Sequence, residues 1–293
     1  MNKLVRMISE DGTLYCLALD STEMVKEMQN IHKTSKVCSA ALGRLITAGA
    51  MMGALLKGDK DTLTLKINGG GPASPVVAVA NSKGQVKGYI GDRTVSLPLN
   101  NKGKLDVSGA VGKNGFLTVI KDLGMKEPYC AQTPIISGEI AEDITAYYAT
   151  SEQTPTVCAL GVLVDPETEE VLLAGGFLIQ LLPTADEQTI SLVEKGLQGI
   201  KPVTTMLAEG LTPEQICQTV LPEFSMQLLD TQEVEYKCDC SEERVTAALI
   251  GAGADGLREM AEDENTEVVC HFCNKKYVFP RENILKLLEE ATK

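Results

Sequence analysis

Four cysteines near the C-terminus are the residues of this sequence whose types and spacing predict chemistry. Cys238 and Cys240 form a C-x-C pair, and Cys270 and Cys273 form a C-x-x-C pair after residues 241 to 269. Two pairs of thiolates brought together from separate segments supply the four soft ligands that zinc takes in closed tetrahedral sites. The spacing therefore predicts a four-cysteine zinc site that holds one zinc per chain in the reduced protein.

The two cysteine pairs also have the spacing of redox-active thiols. Thiols this close in sequence are able to form a disulfide when they are oxidised. We therefore interpret the site as a redox switch. The alternative that spacing alone leaves open is a structural zinc site without regulation. His271 is the weaker ligand candidate, because four thiolates already complete the tetrahedron.

The other five of the nine cysteines are scattered singly among apolar neighbours: Cys16, Cys38, Cys130, Cys158 and Cys217. An isolated cysteine of this kind is usually a small core residue with an inert thiol. The opening residues Met1-Asn2-Lys3-Leu4 lack the apolar stretch of a secretory signal, which predicts a cytoplasmic location. Thiols are kept reduced there, so a framework of structural disulfides is not expected.

The cysteine pairs lie in the last of three predicted parts of an α+β protein. Residues 1–180 contain more strand-like than helix-like segments, which predicts a mixed α/β domain with antiparallel-rich sheets. Residues 181–230 contain short helical segments separated by prolines, which predicts a helical connector. Residues 231–293 are too few to be stabilised easily by core burial, which predicts a small zinc-binding domain. Within these parts the sequence predicts a hairpin turn at Asp11-Gly12, a helix break near Ser35 and a helix start at Ser241.

One apolar stripe is predicted in the connector. Ile190, Val193 and Leu197 have helical spacing, so a helix over these residues presents an apolar face that needs a partner surface. We expect that partner to be the N-terminal sheet while the cysteine site is reduced. We also expect the switch to act through loss of this docked arrangement.

Charge and motif content exclude several functions. The net charge of −13 repels nucleic acid and anionic lipid, and the most apolar run, residues 45–56, is shorter than the roughly 20 residues that span a bilayer. Neither of the two histidines lies in a nucleophile motif, and the phosphate-loop-like residues 109–114 have the wrong glycine spacing. We therefore expect neither an enzyme nor an ATP-binding protein.

The cysteine-containing segments resemble a known family. Residues 238–241 with Arg244, and residues 270–274 with Tyr277, closely resemble the 33 kDa chaperonin (heat-shock protein 33) family of bacterial redox-regulated holdases. Further matches extend the similarity over essentially the whole chain: residues 121–124, 137–143, 151–153 and 175–183.

This resemblance implies a homodimeric, ATP-independent chaperone that acts in oxidative stress and prevents the aggregation of unfolding client proteins. In the family's mechanism the reduced, zinc-bound protein is inactive, and oxidation converts the four cysteines into two disulfides and expels the metal. Because near neighbours close the smallest loops, we expect the disulfides Cys238–Cys240 and Cys270–Cys273.

Two other classes of protein are alternatives. A thiol-disulfide oxidoreductase would need a thioredoxin-like βαβ context around its C-x-x-C motif, which the sequence does not show. A zinc-ribbon nucleic-acid-binding protein would need a basic face, whereas residues 231–293 contain 14 acidic and 8 basic residues, a net charge of −6.

Overall fold

The computed structural model describes residues 2–291, which form two compact units. The first unit ends at Lys237 and the second begins at Cys238. The strands of the first unit are β1 (Lys3–Ser9), β2 (Leu14–Asp20), β3 (Thr62–Gly70), β4 (Val76–Asn81), β5 (Gln85–Ile90), β6 (Gly112–Asp122), β7 (Tyr129–Pro134), β8 (Thr156–Val164), β9 (Val171–Leu181), β10 (Met226–Glu233) and β11 (Glu235–Tyr236). Its helices are α1 (Thr22–His32), α2 (Lys36–Gly53), α3 (Val107–Val111), α4 (Ala141–Tyr147), which continues as a π-helical turn (Tyr148–Glu152), α5 (Glu187–Leu197), α6 (Val203–Ala208) and α7 (Pro213–Val220).

The strands of the first unit form a five-stranded and a six-stranded sheet. The five-stranded sheet has the order β10-β1-β2-β9-β8 and is antiparallel throughout. The six-stranded sheet has the order β11-β5-β4-β3-β6-β7, and only the short β11 is parallel to its neighbour. This architecture confirms the predicted α+β fold with antiparallel-rich sheets.

Helix α2 is the centre of the apolar core. Every residue from Val37 to Gly53 except Arg44 is buried, because α2 packs against β4 and β5 of one sheet and against β8 and β9 of the other. The helix begins where the sequence predicts a break, since the Ser35 side chain accepts a hydrogen bond from the backbone N–H of Cys38 at 3.4 Å.

The connector helices α5, α6 and α7 contribute to an apolar cluster with the five-stranded sheet. On β2, Cys16 and Ala18 face this cluster, whereas Leu17 and Leu19 belong to the core that contains α2. The predicted stripe contributes unequally: Val193 is 4% exposed within the cluster and Leu197 packs against it, whereas Ile190 is 39% exposed.

The three-part division of the chain stays a prediction. The connector helices belong to the same compact unit as the two sheets. They are followed by β10, which pairs with β1 and which the sequence interpretation of residues 181–230 as helical did not include.

The second unit, called here the cysteine module, is small. It contains α8 (Glu242–Gly251), α9 (Gly253–Met260), the hairpin of β12 (Asn265–Val269) and β13 (Lys276–Pro280), and α10 (Arg281–Ala291). Its buried apolar residues are Leu249, Leu257, Ala261, Tyr277, Phe279 and Ile284. Across residues 2–291, each helix is too short or too polar to cross a membrane.

Candidate metal centre

Two different backbone structures position the cysteine pairs. Cys238 and Cys240 lie in the segment between β11 and α8, and Cys270 and Cys273 lie in the turn of the β12–β13 hairpin. The turn is closed by a hydrogen bond from the Cys270 N–H to the Lys275 carbonyl at 2.9 Å and by a second one from Asn274 to Cys270 at 2.8 Å. Asn274 has a φ of 58°, a left-handed conformation that asparagine adopts more readily than most residues.

The first pair is held by the start of α8. Ser241 caps the helix, since its hydroxyl accepts a hydrogen bond from the backbone N–H of Arg244 at 3.3 Å. The Arg244 guanidinium pairs with the Asp239 carboxylate and also donates to the Asp239 carbonyl at 3.3 Å. These contacts fix the residue that separates the two cysteines, and they confirm the helix start that the sequence predicts at Ser241.

The four sulfur atoms form one compact group. All four Sγ atoms lie within 4.8 Å of one another, with 3.7 Å between Cys238 and Cys270 and 3.4 Å between Cys240 and Cys273. A regular tetrahedron with Zn–S bonds of about 2.3 Å has S–S edges of about 3.8 Å. The all-sulfur donor set and its spacing therefore fit zinc. Disulfides within the pairs and between them are both within reach, so the predicted pairing stays a prediction.

The thiols of this group ionise differently in the metal-free state. Burial raises the pKa of Cys273 to about 11 and also raises the pKa of Cys238 above its ordinary value. Burial acts in the same direction on Cys240, but hydrogen bonds from Tyr277 and Cys273 outweigh it and lower the pKa of Cys240 to about 7. Among Cys238, Cys240 and Cys273, Cys240 is therefore the thiol with the lowest pKa.

Tyr277 contacts the sulfur group, and the spacing of the cysteines alone did not identify it. Its hydroxyl lies 3.1 Å from Cys240 Sγ and donates a hydrogen bond to it. The signal in the sequence is the alternation of buried residues along β13, which turns Tyr277 and Phe279 toward the same apolar cluster. Burial alone does not show which sulfur the hydroxyl reaches, because that depends on the path of residues 238–240.

The remaining candidate residues lie outside the group of four. His271 is exposed, and the ligand group consists of the four thiols. Cys38 and Cys158 are buried as predicted for core cysteines, whereas Cys130 is exposed on the edge strand β7. The prediction of a core position was wrong for Cys130, because an edge strand leaves much of its surface to solvent.

Cys16 and Cys217 are buried as expected but are not isolated. Cys16 lies on β2 and Cys217 on α7, and the Cys217 thiol lies 4.0 Å from the Cys16 carbonyl oxygen. Burial, with a smaller contribution from the nearby Cys217 thiol, raises the pKa of Cys16 well above its ordinary value. The Cys16 thiol therefore stays protonated, and both thiols stay buried while α7 is packed on the sheet.

The fold and the sulfur group together define a two-unit α+β protein with a C-terminal four-cysteine metal-binding module. The sequence model of the family described as "Hsp33 protein" matches residues 2–280. The chain belongs to the Hsp33 family.

Relatives in this family are similar over their whole length. The 33 kDa chaperonin of Clostridium perfringens strain SM101 is 50% identical, with 100% of this chain and 93% of the relative covered. That of Clostridium botulinum strain Eklund 17B is 47% identical, with 100% and 99% covered. The crystal structure of the 33 kDa chaperonin of Thermotoga maritima superimposes with a TM-score of 0.90 at 35% identity, covering 99% of both chains.

Proposed function

We propose that the chain is a redox-regulated, ATP-independent holdase that keeps unfolding or oxidatively damaged proteins from aggregating and is active only after oxidation. The observation that carries this proposal is the group of four thiols within 4.8 Å of one another in a module with very few buried apolar residues. Membership of a family whose relatives are named chaperonins supports the chaperone role.

In the reduced state Cys238, Cys240, Cys270 and Cys273 hold one zinc ion per chain. Bound zinc would tie the segment before α8 to the β12–β13 hairpin, and most of the folding free energy of such a small module comes from the metal. Oxidation of the thiolates to disulfides removes the ligands, so the module loses its main stabilising interaction. Its structure is then expected to unfold.

The connector is suited to respond because its first helix, α5, buries few residues. Only Thr189 and Val193 of α5 are buried, whereas α2 buries sixteen residues. Both side chains of the ion pair between Lys195 and Glu223 are exposed to solvent, so this pair contributes little to stability. Elements with few buried residues open at the lowest free energy, so α5 is the expected first part of the connector to be released. Helices α6 and α7 bury three and four residues and are expected to follow.

Chain connectivity links the two events. The connector helices lead directly into β10 and β11, and Tyr236 on β11 lies two residues before Cys238. The Tyr236 hydroxyl donates a hydrogen bond to the Gly88 carbonyl at 2.8 Å, which anchors this segment in the first unit. When the module unfolds, the segment at Tyr236 loses the folded structure that follows it in the chain. The connector then undocks and exposes apolar surface that clients can bind.

Client proteins and a second copy of the chain are the proposed partners, in the cytoplasm, with no enzymatic activity. The oxidoreductase alternative has less support, because Cys270 and Cys273 lie in a hairpin turn and not at the start of a helix. The nucleic-acid alternative has less support because of the acidic charge of residues 231–293.

The experiment is an aggregation assay with a heat-unfolding client enzyme, using reduced and peroxide-oxidised protein without nucleotide, and with zinc measured in both samples. We expect one zinc per chain and no protection in the reduced sample, and no zinc and strong protection in the oxidised one. Equal protection in both samples would contradict redox regulation. Turnover of a small disulfide substrate would favour the oxidoreductase.

A further inference from the structure

The hydroxyl of Tyr277 has a position that the ligand set alone does not explain. It donates a hydrogen bond to Cys240 Sγ at 3.1 Å, although the four thiols already complete a tetrahedral donor set. Groups that hydrogen-bond to metal ligands orient them and tune their reactivity. Tyr277 is therefore placed to change the chemistry of one sulfur and not of the others.

The position of the hydroxyl is fixed by the hairpin. Tyr277 pairs with Val268 across β12 and β13, and its side chain is 7% exposed in the same apolar cluster as Phe279. The Lys275 ammonium lies 4.9 Å from the centre of the tyrosine ring, a favourable cation–π contact. The hydroxyl oxygen cannot move away from Cys240 without the ring losing this packing.

A cleft that is open to solvent is lined by Cys240 and Tyr277. It has a volume of about 430 Å³, is lined by residues 240–243 and 275–279, and includes both Cys240 and Tyr277 in its wall. A volume of this size admits several small molecules, since one water occupies about 30 Å³. Cys240 is half-buried and lines this cleft together with Tyr277, so a small oxidant such as a peroxide can approach it there.

We propose that Tyr277 is a positioning residue that restrains the oxidation of Cys240 and so sets the threshold of the switch. This inference rests on the proposed redox function and adds a residue to it. An O–H donor stabilises the negative charge of a thiolate and engages one of its lone pairs, so the sulfur becomes a weaker nucleophile. Zinc and Tyr277 together keep Cys240 unreactive until the oxidant concentration is high.

The restrained step is the attack of the Cys240 thiolate on hydrogen peroxide. The sulfur forms a bond to one oxygen, the O–O bond breaks, and hydroxide leaves and takes a proton to become water. A second thiolate of the group then attacks the oxidised sulfur, and the displaced hydroxide becomes a second water. Two thiolates are oxidised to one disulfide, and one peroxide is reduced to two waters.

The experiment compares Tyr277→Phe with the wild type in the reduced, zinc-loaded full chain. Zinc release after addition of hydrogen peroxide is followed with a chromogenic chelator, and iodoacetamide labelling of each cysteine is followed by peptide mass spectrometry. Phe279→Leu is the matched control, because it loosens the same strand and leaves the hydrogen bond from Tyr277 to Cys240 in place. Cys270 provides an internal reference for labelling.

We expect Tyr277→Phe to bind one zinc per chain and to release it about tenfold faster, the effect of one hydrogen bond to a charged acceptor. Labelling of Cys240 should rise relative to Cys270, and Phe279→Leu should show neither change. Wild-type rates in Tyr277→Phe, equal acceleration in Phe279→Leu, or loss of zinc binding by Tyr277→Phe would overturn the proposal. These rates do not depend on whether oxidised protein protects clients, so failure of the proposed function is seen separately.

Discussion

The two compact units are stabilised by different interactions. In the first unit, α2 is buried between two sheets and nearly every one of its residues contributes to the core. In the cysteine module the described buried apolar residues are few, and four thiols lie at the point where its segments meet. Apolar burial does not respond to oxidants, whereas thiolate ligands do. Under the proposed function, the same chain combines a core around α2 that persists under oxidation with a module that senses it.

Metal removal should show most clearly that the two units are stabilised by different interactions. A strong chelator added to reduced protein is expected to unfold residues 238–291 and to leave the two sheets folded, because metal binding supplies about 10–16 kcal/mol in small zinc domains. Limited proteolysis should then cleave within the module first and within the released connector next, and it should spare the core around α2. A module that resists cleavage without metal would show that its apolar core is sufficient to keep it folded.

Substitutions on α5 test whether the connector is the weakly held part of the first unit. Val193→Asp places a carboxylate in the apolar cluster and should favour undocking by about 3 kcal/mol or more. We expect reduced, zinc-loaded Val193→Asp to protect clients in the aggregation assay. Ile190→Asp is the matched control on the same helix, since Ile190 is 39% exposed and its substitution should leave the reduced protein inactive.

A specific outcome would contradict this role of the connector. If Val193→Asp undocks by hydrogen exchange, retains its zinc and still protects no client, connector release is not sufficient for activity. The client-binding surface would then lie in the cysteine module.

Local sequence signals predicted the parts of both units that depend on neighbouring residues. The β1–β2 hairpin, the break before α2 and the start of α8 follow from a turn at Asp11-Gly12 and from caps at Ser35 and Ser241. The four ligands were predicted because their spacing is itself the signal. These features depend little on the rest of the fold.

Features that depend on tertiary pairing were not predicted. β10 is an exposed edge strand without alternating burial, so only its pairing with β1 defines it. The contact between Tyr277 and Cys240 joins residues 37 positions apart. The approach of Cys217 to Cys16 likewise follows from the packing of α7 on the sheet, which the local sequence does not encode.

The burial of Cys217 offers a measure of connector docking. In reduced protein this thiol is expected to resist alkylation, and after oxidation its alkylation rate should rise by at least about tenfold as α7 opens. Cys130 is exposed in the docked structure and serves as the reference that reacts in both states. If Cys217 stays protected in oxidised protein, α7 does not leave the sheet.

The smallest expected effect concerns the cap of α5. Asp186 accepts hydrogen bonds from the backbone N–H and the hydroxyl of Thr189, each at 2.8 Å, and these bonds lower the pKa of Asp186 below its ordinary value of 3.8. A lowered pKa means that the charge stabilises the docked helix above pH 3.8 and that this contribution is lost as the pH falls through the lowered value. The melting temperature of the wild type should therefore decrease more steeply below about pH 4 than that of Asp186→Asn. Parallel pH profiles would show that this charge does not stabilise α5.

We propose that loss of the thiolate site in the cysteine module releases the connector of the first unit. The decisive measurement is hydrogen exchange of residues 187–220 in reduced and in peroxide-oxidised protein. We expect these residues and residues 238–291 to lose protection on oxidation, while residues 36–53 of α2 keep it. Full protection of residues 187–220 in oxidised protein that prevents client aggregation would contradict the claim.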